Sequence, residues 1–518
     1  MKLFEKSLIF LQKGNLIEAK KICEFIIKRE PLNSDALHLL GVIEYKAYNY
    51  KIAELLISKA ILINPHNSSF YSNLGHVLKK INKIEDALFS YDKAISLKPD
   101  YAEAYHNRGI VLKELNKIEE ALSDYDKAIS LKPDSEKFYC SRGVSLTELK
   151  KLENALSDYD KAISLKPDYA EAYHNRGIVL KELNKIEEAL SDYDKAISLK
   201  PDYAEFYWNK SLVLLLKGDY KSGFKLYEKR WDAPSVGFFN YRKNFSKPFW
   251  DGTQDLKNKT ILLLSEQGLG DTIQFCRYLD LVKNLGAKVL FQVPKKLFSL
   301  LKNLKSVDQF LIEGNALPKY DYYCTLLSLP FAFRTEIKTI PFNIPYLNIS
   351  QDRIIKWKNY LGRKDFKIAI NWQGGKSKVD SGRSFPLKLF KNISNIRGIR
   401  LISLQKNEGS EQLIDGNLEI QTLPKNFDNS GEEFLDSAAI MKSVDLVITG
   451  DTSLTHLAGA LGVNTWLALK HVPDWRWLID KQNSPWYACH RIFRQKKLDD
   501  WQQVFLDMEK EIKILLKQ

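Results

Sequence analysis

Along the first half of the chain, apolar, small and polar positions return in a fixed pattern every 34 residues. Tyr71, Gly75, Ala87, Tyr91, Ala94 and Pro99 come back as Tyr105, Gly109, Ala121, Tyr125, Ala128 and Pro133, and proline alone recurs at 31, 65, 99, 133, 167 and 201. The pattern predicts two helices per period. Gly75 and Ala87 lack bulk where the two helices cross, Tyr71 and Tyr91 fill the space on either side, and Pro99, with no amide proton, ends the second helix. Past about Phe238 the period is lost and short apolar strands alternate with amphipathic helices. Strands are expected at 260–265 (TILLLS), 288–293, 367–372 (KIAINW), 400–404 and 445–449 (DLVIT), with helices from the turn after 265 to 285 and at 295–303, 351–361 and 455–461. Such alternation means parallel sheets with crossover helices.

The 34-residue template is the signature of tetratricopeptide (TPR) repeats, helix pairs that stack into an α solenoid. Six repeats are expected, with a degenerate seventh from about Ala204 in which Ser211 replaces the glycine, Gly223 the first alanine and Arg230 the second. Residues 97–134 and 165–202 are identical, so a two-repeat block has been copied within the chain. The predicted organisation is a solenoid over 1–237, a first Rossmann-like lobe over 238–349 on the acceptor side, and a second over 350–518 on the donor side.

Charge sharpens this picture only in the second half. Residues 1–237 carry 37 Lys and Arg against 35 Asp and Glu, whereas the remainder carries 41 against 29 of a net +14. A basic second half suits a phosphate-bearing ligand. Lys/Arg clusters interleaved with aromatics are absent, which argues against nucleic acid. The five cysteines show no metal or redox spacing and fit a reduced, cytoplasmic protein. The N-terminal MKLFEKSLIFLQK is too short and too charged for a signal peptide or a span, and reads as the first repeat helix.

Each lobe has one informative strand-to-helix turn. In the first it is Glu266-Gln267-Gly268-Leu269-Gly270-Asp271, where Gly268 and Gly270 would let backbone approach a ligand and Asp271 would stand beside the cleft. It lacks the third glycine of a dinucleotide fingerprint. Asp271 reads equally as a helix cap. In the second lobe Gly450-Asp451-Thr452-Ser453-Leu454-Thr455-His456 gathers hydroxyls and amides at the positive end of a helix, a generic anion site. Capping, with His456 a buried core histidine, is the plainer reading of the same residues.

GLGDTIQF and GDTSLTHLAGALG resemble the glycosyltransferase family 9 proteins, the heptosyltransferase group with a GT-B fold. The resemblance covers roughly residues 255–515 and is supported by EQGLGDTIQFCRYL, NWQG, GRSFPL, SLQK, PDWRW, SPW and IFRQ. The whole chain is similar to bacterial proteins in which TPR repeats precede such a domain. The resemblance implies Asp271 as catalytic base, Asp451, Thr452, Ser453 and His456 with Gly268 and Gly270 as donor-binding, and Arg383 and Ser384 near a phosphate-contacting position. It implies a nucleotide-sugar substrate and no metal or other cofactor. Ser453 departs from the usual glycine and LALKHVPDWRWL lacks the Gly-Pro-Thr pattern of heptose enzymes, which puts ADP-heptose in doubt.

In the repeats, Asn73, Asn107, Asn175 and Asn209 share one position, interrupted by Ser141. On the groove-lining helix these amides could bind an extended peptide backbone of any sequence. The series resembles the asparagine ladder of O-GlcNAc transferase, and asparagine is also common there in TPRs of every function. Three functions are thus expected in turn: a glycosyltransferase whose repeats bind a protein or peptide acceptor or partner; a non-catalytic TPR scaffold that retains nucleotide affinity; and a glycan-assembly enzyme in peripheral contact with the inner membrane face.

Overall fold

The computed structural model describes residues 3–237, 241–375, 382–414, 418–429 and 431–517. The chain forms two compact units, residues 1–183 with 194–200, and residues 184–193 with 201–518. In the first unit the helices pair as the 34-residue period predicts. The pairs are α1 (Leu3–Gln12) with α2 (Leu16–Arg29), α3 (Ser34–Lys46) with α4 (Tyr50–Ile63), α5 (Ser68–Lys80) with α6 (Ile84–Leu97), α7 (Ala102–Glu114) with α8 (Ile118–Leu131), and α9 (Glu136–Glu148) with α10 (Leu152–Leu165). α11 (Ala170–Glu182) opens the sixth pair, and α12 (Ile186–Leu199) carries residues of both units.

Local chemistry sets each boundary. Lys98 ends α6 at φ −139°, ψ 87°, because the ring of Pro99 disfavours helical backbone at the preceding residue. The turn inside each pair closes on a left-handed residue, Asn82, Asn116 or Lys150, with φ of 60–61°. Asparagine tolerates that region better than most residues. A Cβ on Gly109 would lie 2.7 Å from the buried Tyr125 ring, and Gly75 and Gly143 meet Tyr91 and Tyr159 in the same way. Successive repeats are clamped by an arginine. Arg108 bonds Asp124 of its own repeat and Asp92 of the preceding one, both at 2.6 Å, and Arg142 repeats this with Asp158 and Asp126.

The second unit opens with α13 (Ala204–Lys217) and α14 (Tyr220–Tyr227), the degenerate seventh pair. The division between compact units therefore runs through the sixth repeat, ahead of the 237/238 boundary expected where the period is lost; residues 238–240 lie outside the described residues. The first lobe comprises β1 (Thr260–Leu264), α15 (Leu269–Phe275), α16 (Leu279–Asn284), β2 (Lys288–Val293), α17 (Lys295–Leu301), β3 (Gln309–Ile312), β4 (Tyr322–Thr325) and α18 (Leu329–Ala332). Its four strands are parallel in the order β3-β2-β1-β4.

The second lobe runs α19 (Gln351–Leu361), β5 (Phe366–Asn371), α20 (Lys391–Ser394), β6 (Ile399–Ser403), β7 (Ile420–Gln421), α21 (Leu435–Met441), β8 (Leu446–Thr449), α22 (Ser453–Ala460), β9 (Thr465–Leu469), β10 (His490–Arg494) and α23 (Trp501–Leu515). Its six parallel strands follow β10-β9-β8-β5-β6-β7. In both lobes the order reverses between the first strand and the fourth, so β1/β4 and β5/β8 are the switch points at which doubly wound sheets bind ligands.

One apolar core joins these parts. Tyr220, Phe224 and Tyr227 of α14, Ile261 and Leu263 of β1, Phe275 of α15, and Leu457, Trp475 and Trp486 of the second lobe belong to a single buried cluster. Separate cores cover the far faces of the two sheets. Among the described residues no helix is long and apolar enough to cross a membrane.

The glycine–tyrosine contact gives a direct test. Gly109→Val must displace the Tyr125 ring, and overpacking of this kind costs about 1–3 kcal/mol. Urea unfolding of the variant should show that loss; an unchanged midpoint would mean that the position does not demand glycine.

Candidate functional site

The two turns singled out in the sequence meet. Asp271 lies in the first turn of α15, after β1, and one carboxylate oxygen accepts the Gly268 amide proton at 2.8 Å, which is the capping role. The other accepts from Arg476 Nη2, reaching across from the second lobe. The α15 and α22 backbones touch at this point: a Cβ on Gly270 would lie 2.8 Å from the His456 ring and 3.2 Å from Ser453 Cα. Gly270 thus serves the contact between lobes, whereas its sequence reading was close approach of a ligand.

Arg476 is held on every side. Nη1 donates to Asp474 at 2.8 Å, Nε donates to Gln274 Oε1 at 2.8 Å, and its guanidinium lies 4.4 Å over the Trp475 ring. Asp451, after β8, is buried beside it. Burial, reinforced by the neighbouring Asp474 charge, pushes Asp451 up to about 6, while Arg383 and Arg476 pull the other way. Burial likewise raises Asp271, against the pull of Arg476 and of the Gly268 amide. The contact between the lobes thus gathers three carboxyl groups and two guanidinium groups.

The remaining predicted donor residues have definite partners. Thr452 caps α22, accepting from Leu454 N at 3.3 Å, and its hydroxyl donates to Asn371 Oδ1 at the end of β5, 3.0 Å away. Ser384 accepts from Gly374 N at 3.3 Å. Gln405, in the SLQK segment after β6, ties the two neighbouring strand ends together: its Oε1 accepts from Asn371 Nδ2 at 2.7 Å and from the amides of Trp372 and Gln373 at 3.1 Å. His456 is fully enclosed. Its Nδ1 lies 3.0 Å from Tyr487 Oη, and its ring stacks on Trp477 with centroids 5.5 Å apart. Burial and the surrounding arginines hold its pKa well below the usual histidine value, so it is neutral at pH 7. It cannot offer a positive charge to a diphosphate.

Sequence reasoning missed Glu266 and its partner. Arg230, the residue that breaks the repeat template, is fully buried, and its Nη2 donates to Glu266 Oε1 at 2.8 Å and to Ser328 Oγ at 2.7 Å, at the β1/β4 switch point. Its Nη1 donates to Glu228 at 2.7 Å. Burial pushes Glu266 up to about 7 although Arg230 pulls it down, and Oε2 has no hydrogen-bond partner. The available signal was a charged residue where five of the six earlier repeats have alanine and the first has Ile26. Arg476 and Asp474 were visible only as charges inside the aromatic PDWRW.

In the repeats the asparagine amides are already engaged. Asn73 Nδ2 lies 2.8 Å from His38 Nε2 of the preceding repeat, Asn175 Nδ2 donates to Cys140 Sγ at 3.7 Å, and Asn209 Nδ2 donates to the Glu205 carbonyl at 3.1 Å. Asn107 sits against the imidazoles of His76 and His106. All four are half-buried. Asn73 and Asn175 tie helices of successive repeats to one another, Asn209 bonds within its own helix, and a peptide backbone would compete for those donors. Among the described residues no group of three His, Cys, Asp or Glu side chains could hold a metal ion.

Comparison with known proteins identifies the repeats. The TPR repeat model matches residues 75–116 and 145–184, and the tetratricopeptide repeat model matches 102–135 and 170–203. The chain is 25% identical to Protein FlbA of Caulobacter vibrioides over 317 residues, covering 56% of this chain and 51% of that protein. It is 34% identical over 76 residues to the UDP-N-acetylglucosamine–peptide N-acetylglucosaminyltransferase of Caenorhabditis elegans, covering 15% of this chain and 7% of the relative. The chain thus spans about half the length of the first relative and a small part of the second. Among solved structures, the TPR protein YrrB is 25% identical with a TM-score of 0.30, over 36% of this chain and 98% of YrrB. The N-terminal half is a TPR solenoid, and the C-terminal half is an α/β region with two parallel sheets.

Glu266 predicts a pH dependence. Its folded pKa, about 7, stands above the ordinary 4.5. The folded protein therefore binds the proton more tightly, and this group's stabilisation is complete below about pH 4.5 and lost as pH rises through 7. Across that window Glu266→Gln should remove a downward slope of up to about 1.4 kcal/mol per pH unit. Parallel slopes for wild type and variant in denaturant unfolding at pH 5, 6 and 7 would contradict it.

Proposed function

We propose that the chain is a glycosyltransferase that takes a nucleotide-sugar donor and transfers its sugar to a protein bound by the TPR solenoid, with the two lobes acting as a GT-B-like pair. The observation that carries this reading is the meeting of the two switch-point turns: Asp271 from the end of β1 and Asp451-Thr452-Ser453 from the end of β8 come together around Arg476. Asp271 is the candidate base for an acceptor hydroxyl or amide. The amides that open α22, with Arg383 and Arg476, would stabilise charge growing on the leaving diphosphate. His456, neutral and stacked, shapes this wall. The similarity to a peptide N-acetylglucosaminyltransferase, small in extent, favours a protein acceptor.

A second reading, a TPR scaffold that keeps only nucleotide affinity, draws on one observation. Both Asp271 oxygens are engaged, one by the Gly268 amide and one by Arg476.

Incubation with radiolabelled nucleotide sugars and cell lysate tests the enzyme. One donor should be hydrolysed or its sugar transferred, and Asp271→Asn should lower that rate by about 10²–10⁴-fold, the usual contribution of a general base. Nucleoside diphosphates should raise thermal stability, by about 2.7 kcal/mol at one hundred times Kd. Stabilisation without turnover of any donor would favour the scaffold; no stabilisation and no turnover would end both readings.

A further inference from the structure

The guanidinium of Arg476 spans the two lobes, yet only one of its contacts lies on the proposed base. Asp474 holds Nη1 and also accepts the Arg476 backbone amide at 3.0 Å, and Gln274 holds Nε. These contacts keep the side chain extended and oriented without Asp271. Asp271 in turn has a second anchor in the Gly268 amide, so it stays in place without Arg476. The Asp271–Arg476 bond can therefore open while each partner remains where it is.

What would open it is a further anion within reach of the guanidinium groups. Asp271, Asp451 and Asp474 already share Arg383 and Arg476, so the partner of each guanidinium donor is set by competition among anions. Of the arginine's donors, Nη2 is the one whose partner is not in its own lobe or on the Gln274 amide. One further buried donor beside Arg476 makes no hydrogen bond: Nε2 of Gln274, whose own oxygen holds Arg476. An anion seated there competes directly with Asp271 for Nη2.

We propose that Arg476 is a donor-operated latch on Asp271: in the ligand-free protein it neutralises and holds the carboxylate, and the diphosphate of a bound nucleotide sugar draws Nη2 away and frees that carboxylate to act. This rests on the glycosyltransferase reading above. In the reaction the acceptor oxygen or nitrogen forms its bond to the anomeric carbon and its proton passes to Asp271. The bond from that carbon to the diphosphate breaks, and the diphosphate leaves with the electron pair, facing Arg476. The device makes binding ordered, since the base is competent only once the donor is present.

The test is a binding measurement on the full chain with ADP, UDP and GDP as probes, by calorimetry, for wild type, Asp271→Asn, Arg476→Gln and the double variant. Asp271→Asn removes the competitor for Nη2, so the nucleotide that wild type prefers should bind about tenfold tighter. Arg476→Gln should bind it more weakly, and adding Asp271→Asn to Arg476→Gln should bring no tightening. Unchanged or weaker binding by Asp271→Asn overturns the latch, as does tightening that persists without Arg476. Should Arg476→Gln fail to fold, Arg476→Lys replaces it, because lysine keeps the charge and loses the fork that serves two carboxylates at once. If wild type binds none of the three nucleotides, the glycosyltransferase reading itself falls; if it binds one and Asp271→Asn leaves the affinity unaltered, the latch alone falls.

Discussion

A guanidinium group inside protein must find partners for its charge and its five protons, and the second unit buries three of them where its parts meet. Arg230 runs from the end of α14 to Glu266 and Ser328 in the first lobe. Arg277 runs from the first lobe to the Trp486 carbonyl in the second, at 2.8 Å, and stacks on Tyr487 at 4.6 Å. Arg476 returns from the second lobe to Asp271 and Gln274 in the first. Removing a carboxylate partner of Arg230 or Arg476 leaves a buried charge uncompensated, at a cost of about 3–5 kcal/mol. The three arginines therefore fix which strand ends and turns face each other. The apolar cluster around them supplies adhesion but little orientation, since it is non-directional.

Sheet topology explains why those turns carry the chemistry. In each lobe the first and fourth strands are neighbours whose crossovers leave on opposite sides, which opens a gap at their carboxyl ends. The backbone beyond β1, β5 and β8 has no ladder partner there, so its amides turn to side chains. Gly268 N takes Asp271, Leu454 N takes Thr452, and Trp372 and Gln373 take Gln405. Because Gly270 has no side chain, α15 can lie directly against Ser453 and His456, and the two turns meet.

The solenoid was legible in the sequence because its rule is periodic: a glycine, an alanine and a tyrosine 34 residues apart can be checked against five copies. The strands at 260–264, 288–293 and 446–449 were legible as short apolar runs next to glycine-rich turns. β3, β4, β9 and β10 were not predicted. Tyr322–Thr325 is polar-aromatic, and His490–Arg494 holds only two apolar residues, Ile492 and Phe493, between basic ones at a sheet edge. Of the site, the sequence showed the two turns but not what joins them. Arg476 lies 205 residues from Asp271, and no spacing rule connects them. What encloses His456 was not legible either, because Trp477 and Tyr487 follow it by 21 and 31 positions.

The seventh helix pair shows how a repeat is converted into part of another fold. A terminal repeat normally turns a polar outer face to solvent; the departures Ser211, Gly223 and Arg230 serve something else. Each has instead a packing reason within the second unit. Ser211 bonds the Trp208 carbonyl at 2.6 Å, and the Trp208 ring meets Tyr227 with centroids 4.7 Å apart. Gly223 lets α14 approach α13 until a Cβ would lie 2.7 Å from Leu215. Tyr220, Phe224 and Tyr227 then face Trp475, and Tyr220 Oη accepts from Trp486 Nε1 at 3.1 Å. The two tryptophans come from the same aromatic segments that carry Arg476 and the Arg277 contact. Tyr227 closes the circuit, since its hydroxyl accepts from Gln267 Nε2 at 2.9 Å, in the turn that presents Asp271. The last repeat thus supplies one wall of the core on which that turn rests, and a change in its helices reaches the carboxylate through packed rings and buried hydrogen bonds.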